Sequence, residues 1–236
     1  MLPDVPSAEQ VAEAVEAYNR KFGVEDKRLW ALAQKTIQEL QSSGCQASAE
    51  GFVWAVRRWG SIQGARSSYK TAMARALVDL QIPRYTVMDR DICVQLWMKL
   101  VTLAQHHGVE RRESSWASKI LHWLLPHQVP IYDAFVRRYL GEGNREGELA
   151  YRTIVMWEYM VADKLTPVRD QVVGEIEPRT LLRAIDKFVW WESGGKNRQH
   201  PEVSAALRDQ AADATSFIPI DIKGEPLSAT VLRDRR

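Results

Sequence analysis

Cysteine is nearly missing from this chain: Cys45 and Cys93 are the only two among 236 residues. So sparse and so widely separated a pair excludes a disulfide framework, an iron–sulfur cluster and a zinc knuckle, and it fits a reducing, cytoplasmic setting. Also lacking is any apolar run of about twenty residues, the length a membrane-spanning helix needs. The opening MLPDVPSAEQ has neither the basic nor the apolar section of an export signal, so no membrane contact is expected. Charge of one sign is not in excess either. A formal net charge of +2 calls for no polyanionic partner by itself, and any basic surface must be local. There is no phosphate-binding GKS or GKT loop, no G-x-G-x-x-G after a strand, no G-x-S-x-G and no H-E-x-x-H. The five histidines have no metal-ligand spacing, so neither a metal nor a cofactor is expected. No repeat and no low-complexity tract divides the chain.

What is present is a globular composition, 45% hydrophobic and 26% charged, with nine tryptophans. That is more Trp than a core of this size usually takes, and Trp anchors pockets and interfaces or stacks on nucleobases as readily as it packs. Apolar residues recur at helical spacing almost throughout. Ser7 and Gln10 form a capping box ahead of Val11, Val15, Tyr18 and Phe22, with Gly23 as the expected end. A second pattern runs from about Asp26 to Gln41. Ser48 is expected to open a third helix, Ser67 or Ser68 a fourth that Pro83 stops, and Asp89 or Asp91 a fifth closing at His106-His107-Gly108. Further helices are expected near 115–125, 133–140, 146–163, 178–191 and 201–212. The fold class is therefore all-α, a compact multi-helix array over residues 1–215. A seam near 83–89 would make two lobes of it, and Phe217 to Ile222 begins an extended tail over 216–236.

One stretch stands apart. From Ser114 the sequence reads SSWASKILHWLLPHQVPIYDAFVRRYLG. Pro126 and Pro130 enforce an extended passage between two helical patterns, which puts Asp133 at a helix N-terminus. There its side chain caps free backbone N–H groups, and the helix dipole favours its charged form. On these grounds alone Asp133 is either a cap or a site carboxylate.

The lysine on the first helix, the proline loop, then Asp133, Val136, Arg137 and the pair Leu140-Gly141 resemble the signature of the helix-hairpin-helix superfamily of DNA glycosylases. About thirty residues carry the likeness. It implies a helical enzyme that flips a modified base out of DNA and hydrolyses its N-glycosidic bond, in base excision repair or in phage defence against modified cytosines such as glucosylated hydroxymethylcytosine. The aspartate of that signature, here Asp133, stabilises positive charge developing at the sugar C1′. Lys119 is the matching candidate for the amine that attacks C1′ in bifunctional members, although monofunctional hydrolysis is the expectation here. The chain departs from the family at the hairpin. Where two glycines usually grip a phosphate, Gly108-Val109 is followed by Glu110-Arg111-Arg112-Glu113.

A flipped base needs flat faces and polar groups at its edge, for which Trp116, Trp123, Tyr132 and His122 are the candidates; core packing is the alternative for each. Phosphates would fall to Arg137, Arg138, Arg111, Arg112 and Lys70, with Arg57-Arg58, Arg66 and Arg75 as further basic clusters. Ser61, Gln63 and Ser67 are candidates to bond a phosphate or enter a gap in the duplex. Trp190-Trp191 before a Gly-rich stretch reads as a pocket lid or a helix end. The expected partner is DNA bearing a modified or damaged base, met by a monomer. The competing reading is a non-catalytic helical module that binds nucleic acid or a protein, with Asp133 as a cap and the tryptophans as interface anchors.

Overall fold

The computed structural model describes residues 2–60, 69–82, 89–110, 113–142 and 147–194. The chain divides into two units, Met1–Val203 and Ser204–Arg236; all described residues belong to the first. The helix expected over 201–212 and the extended stretch at 217–222 lie outside the described residues.

The described part is all-α. Its elements are α1 (Ala8–Ser43), α2 (Gln46–Trp59), α3 (Tyr69–Leu80), α4 (Arg90–His106), α5 (Ser114–Leu124), α6 (Ala134–Tyr139) and α7 (Glu148–Leu165). A 3-10 turn (Thr166–Val168), α8 (Arg169–Val172) and α9 (Leu181–Glu192) complete it. Among the described residues no helix is long and apolar enough to cross a membrane.

The capping box at Ser7 and Gln10 is formed as expected, and Asp89 caps α4 by accepting from the Ile92 N–H at 2.8 Å. Ser48 caps nothing: α2 begins earlier, with Cys45 at its N-cap. The larger correction is at Gly23. Two helices divided there were expected, yet one helix runs unbroken to Gly44, whose left-handed φ of 61° closes it. A mid-helix glycine costs only about 1 kcal/mol against alanine. The apolar register carries across it, with Phe22, Leu29 and Ala33 all buried. The glycine serves close approach instead, since a Cβ there would stand 3.2 Å from the Ile176 side chain.

Both long patterns thus join in one helix of 36 residues, which packs against α2, α5, α8 and α9. Helices α2, α3 and α4 pack in sequence, α4 on α7, and α7 on α9, the last closing back on α1. The seam expected at 83–89 falls largely outside the described residues; α3 and α4 on either side pack directly together.

Candidate active site

The loop after α5 explains how Asp133 is held. Prolines contribute a carbonyl but no N–H, so an irregular buried loop around them must find donors elsewhere. Each neighbour supplies one. The Pro126 carbonyl accepts from the Thr180 hydroxyl at 2.8 Å, that of Gln128 from the Tyr159 hydroxyl at 2.6 Å, and that of Pro130 from the Tyr151 hydroxyl at 3.0 Å. His122 Nδ1 donates to the Val129 carbonyl at 2.7 Å. From within α5, Ser118 Oγ accepts the Tyr132 N–H at 2.9 Å. The chain thereby enters α6 at a fixed point.

Asp133 is the N-cap of α6. Its Oδ1 accepts the Phe135 N–H at 2.8 Å and the Val136 N–H at 3.1 Å. The other oxygen is not used in capping. Oδ2 faces Lys119 Nζ at 3.2 Å, and the two side chains are only 11% and 8% exposed. Lys119 Nζ also donates to Ser115 Oγ at 3.4 Å and to the Gly60 carbonyl at 3.5 Å. Three acceptors match the three N–H donors of an ammonium group. The two candidates for catalysis, fourteen residues apart in sequence, therefore meet as a nearly buried ion pair at the C-terminal end of α2.

The aromatic candidates lie elsewhere than expected. Trp116 is buried and donates from Nε1 to the Val53 carbonyl at 2.9 Å, a structural bond between α5 and α2. Trp123 is buried edge-to-face on Trp59, under the Arg183 guanidinium. Tyr132 is buried among Trp97 and Tyr151, and its hydroxyl accepts the Gly147 N–H. These positions correct the expectation of an aromatic rim: the rings are packed in the core. His122 is corrected likewise. It is wholly buried, its Nε2 has no partner, and burial together with the Arg183 charge lowers its pKa to about 3.

Neutral His122 carries a pH dependence. The unfolded residue takes up a proton near its ordinary pKa of 6.5 while the folded one does not until about 3. Between those values the unfolded state binds more protons, so stability falls as pH falls, by up to roughly 1.4 kcal/mol per unit. Urea unfolding from pH 6.5 downward is expected to be steeper for the wild type than for His122→Gln; equal slopes would refute it.

Of the basic candidates, Arg137 lies one helical turn beyond Asp133, half-buried, with its guanidinium 5.4 Å from the centre of the Tyr132 ring. Arg138 is exposed, over Phe135. Lys70 pairs with Glu50 at 3.8 Å, between α3 and α2. Arg111, Arg112, Ser61, Gln63, Arg66 and Ser67 lie outside the described residues. Trp190 packs on Tyr18, Phe22 and Phe135, and Ser193 closes α9, so this aromatic pair ends a helix.

Behind the ion pair stands a second charged group that the spacing arguments passed over. Asp26 of α1 and Arg183, Asp186 and Lys187 of α9 are all buried. Arg183 donates to Asp26 Oδ2 from Nη2 at 2.6 Å, to the Tyr18 hydroxyl at 2.9 Å, and from Nη1 to Asp186. Lys187 lies 3.3 Å from Asp26 and bonds Asn19, while Trp59 Nε1 donates to Asp26 Oδ1 at 3.2 Å. Burial would raise the Asp26 pKa, but Arg183 and Lys187 outweigh it and hold the carboxyl below its usual range. For Asp186 burial wins over Arg183, and Asp133 adds to it, pushing the pKa up to about 6. Glu158 of α7 is buried with neither carboxyl oxygen bonded; burial, then Asp186 and Asp133, raise it well above the ordinary range. It is held neutral. With Glu158 uncharged, Asp26, Asp133 and Asp186 are matched in number by Lys119, Arg183 and Lys187, which is the condition for burying so many charges.

Comparison with protein-family models, with curated proteins and with solved structures finds no match to this chain.

Proposed function

We propose that this protein is a DNA glycosylase that hydrolyses the N-glycosidic bond of a modified base, with Asp133 as its essential carboxylate. One observation carries the reading: a capping aspartate keeps its second oxygen for a nearly buried lysine, at the end of a loop whose carbonyls are held from four sides. A cap alone requires no such partner. As the bond between C1′ and the base nitrogen breaks, the nitrogen keeps the electron pair and the sugar becomes positive. Asp133 stabilises that charge while water bonds to C1′, and the proton that the water loses ends on the departing base. Lys119 holds the carboxylate in place. With its three donors engaged it favours hydrolysis over covalent attack, because an amine nucleophile must first lose a proton.

The test is incubation of the full chain with duplexes carrying oxidised, alkylated and glucosylated hydroxymethylated bases, scored for released base and alkali-labile sites. At least one is expected to react, with no adduct trapped by borohydride. Silence across the panel would sink the proposal, and a trapped adduct that Lys119→Met removes would make Lys119 the nucleophile.

A binding module is the second reading. It draws on Leu149 and Met156, seven residues apart on α7 and 69% and 56% exposed, and not on Trp116 or Trp123, which are buried. Such a module would release no base from any of these duplexes.

A further inference from the structure

One carboxyl beside the Lys119–Asp133 pair has no task in the hydrolysis described above. Asp186 lies on the face of α9 that touches the start of α6. Trp190, four residues on, packs on Phe135 with ring centres 5.9 Å apart, and Ser193, seven on, donates from Oγ to the Phe135 carbonyl at 3.2 Å. Phe135 is the residue whose N–H Asp133 Oδ1 accepts. Asp186 is not sealed in. Its Oδ2 accepts from Arg183, its Oδ1 has no hydrogen-bond partner among the described residues, and 7% of the side chain is exposed, close to the 8% and 11% of Lys119 and Asp133. A carboxylate kept only to pair with Arg183 would use both oxygens, because the guanidinium is a fork that fits them.

The surroundings of the two carboxyls differ. Around Asp186 stand Arg183 and Lys187 of its own helix, Asp26 and Tyr18 of α1, Lys119 of α5, Asp133 at the start of α6 and Glu158 of α7. The charges of α8, Arg169 and Asp170, pair with each other at 3.0 Å. Burial, the largest influence, outweighs Arg183, and the Asp133 charge adds to it, so the Asp186 pKa stands at about 6. Asp133 instead has both oxygens engaged, one by two backbone N–H groups and the other by Lys119. One carboxyl is fully bonded, and its neighbour has an oxygen to spare. Such a difference between neighbouring carboxyls divides the roles of charge stabilisation and proton transfer, and a group that titrates close to the working pH moves protons best.

We infer that Asp186 is a second catalytic carboxyl, whose Oδ1 takes the proton from the water that bonds to C1′ and passes it to the departing base. The inference rests on the glycosylase reading and supplies the proton carrier which that reading leaves without a residue. The electron pair of the broken C1′–N bond stays on nitrogen, a water lone pair forms the C1′–O bond, and the proton lost by the water ends on the base. Asp186 begins and ends the cycle ionised. Lys119 cannot serve in its place, since an ammonium group has no lone pair to accept a proton.

The experiment is single-turnover base release by the full chain, between about pH 4.5 and 8, from whichever duplex of the panel above reacts fastest, with circular dichroism recorded at each pH. In the wild type the rate is expected to fall about tenfold per pH unit below about 6, where Asp186 takes up a proton, and to level off above that, with the fold intact throughout. Asp186→Asn keeps a carbonyl oxygen for Arg183 but cannot carry a proton. It is expected to lower the plateau by about 10²-fold and to remove the limb near pH 6. If that variant does not fold, the wild-type profile still decides. A wild-type rate that is flat through pH 6, or an Asp186→Asn variant that keeps the limb whatever its plateau, overturns the proton carrier while base release and the glycosylase reading stand. Absence of base release from every duplex overturns both.

Discussion

Asp133→Asn is expected to abolish base release and, separately, to destabilise the fold. The two losses have different origins. Asparagine caps a helix about as well as aspartate, so the bonds to Phe135 and Val136 survive. What disappears is the charge. In the reaction this removes the group that stabilises a positive C1′, and losses of one such preorganised group run to about 10²–10³-fold or more. In the resting protein it leaves the Lys119 ammonium nearly buried with only the Gly60 carbonyl and Ser115 hydroxyl. Breaking a buried pair from one side costs about 3–5 kcal/mol, and the slight exposure of this one puts it near the lower end. Lys119→Met in the same background should recover most of the stability and none of the activity. Urea midpoints and single-turnover base release separate the two effects. Wild-type stability in Asp133→Asn would disprove the coupling, and a wild-type rate would remove the catalytic role.

Arg183→Met is the change expected to harm the fold most. The guanidinium is shared by Asp26, Asp186 and Tyr18, all buried, and it lies under the Trp59 and Trp123 rings. Without it Asp26 retains Lys187, whose own pKa burial lowers to about 8, and Asp186 loses its hydrogen-bonded cation, keeping only the Coulombic pull of Lys119 and Lys187. A loss of at least about 3–5 kcal/mol follows. For a domain of this size that corresponds to a fall in Tm on the order of 10 °C. The double variant Arg183→Met/Asp186→Leu should be more stable than Arg183→Met alone, because it also removes the carboxylate left without its hydrogen-bonded cation. Additive losses would show that the two residues are not coupled.

Much of the fold could be read from spacing. Period and capping residues located α4 and α6 to within a few residues, where Asp89 and Asp133 each accept from a backbone N–H at the start of the helix they cap, and period alone located α5 and α9. Gly23 misled because local composition says nothing about close approach: what fixes it is Ile176, more than 150 residues away. At the candidate site the proline loop pointed to Asp133 and the helix before it to Lys119. The aromatics misled for a physical reason. Trp116, Trp123 and Tyr132 have a large apolar area and one donor, which suits a ligand pocket and a core equally, and only the positions of Val53, Arg183 and Gly147 decide between them.

The buried charges left a trace that periodicity alone would have caught. Asp26 occupies an apolar-face position, four residues after Phe22 and three before Leu29, both buried. In α9, Arg183, Asp186 and Lys187 repeat at three and four residues inside a helix whose other residues before Glu192 are apolar. A charge standing in the register of a core implies a partner of opposite sign. Finding the partner requires the tertiary structure.

The long reach of that pairing bears on how the chain is built. Asp26 and Arg183 are 157 residues apart. During synthesis α1 emerges with a carboxylate on its inward face, and its counter-ion is not made until nearly all of the first unit has left the ribosome. Contacts of such separation form late, after the loop-closure entropy has been met. Helix α1 is therefore completed by the last described helix, and any fragment ending before Arg183 must either leave Asp26 in water or bury it protonated. The first unit is in this sense a closed ring of helices, and the final link is a charge.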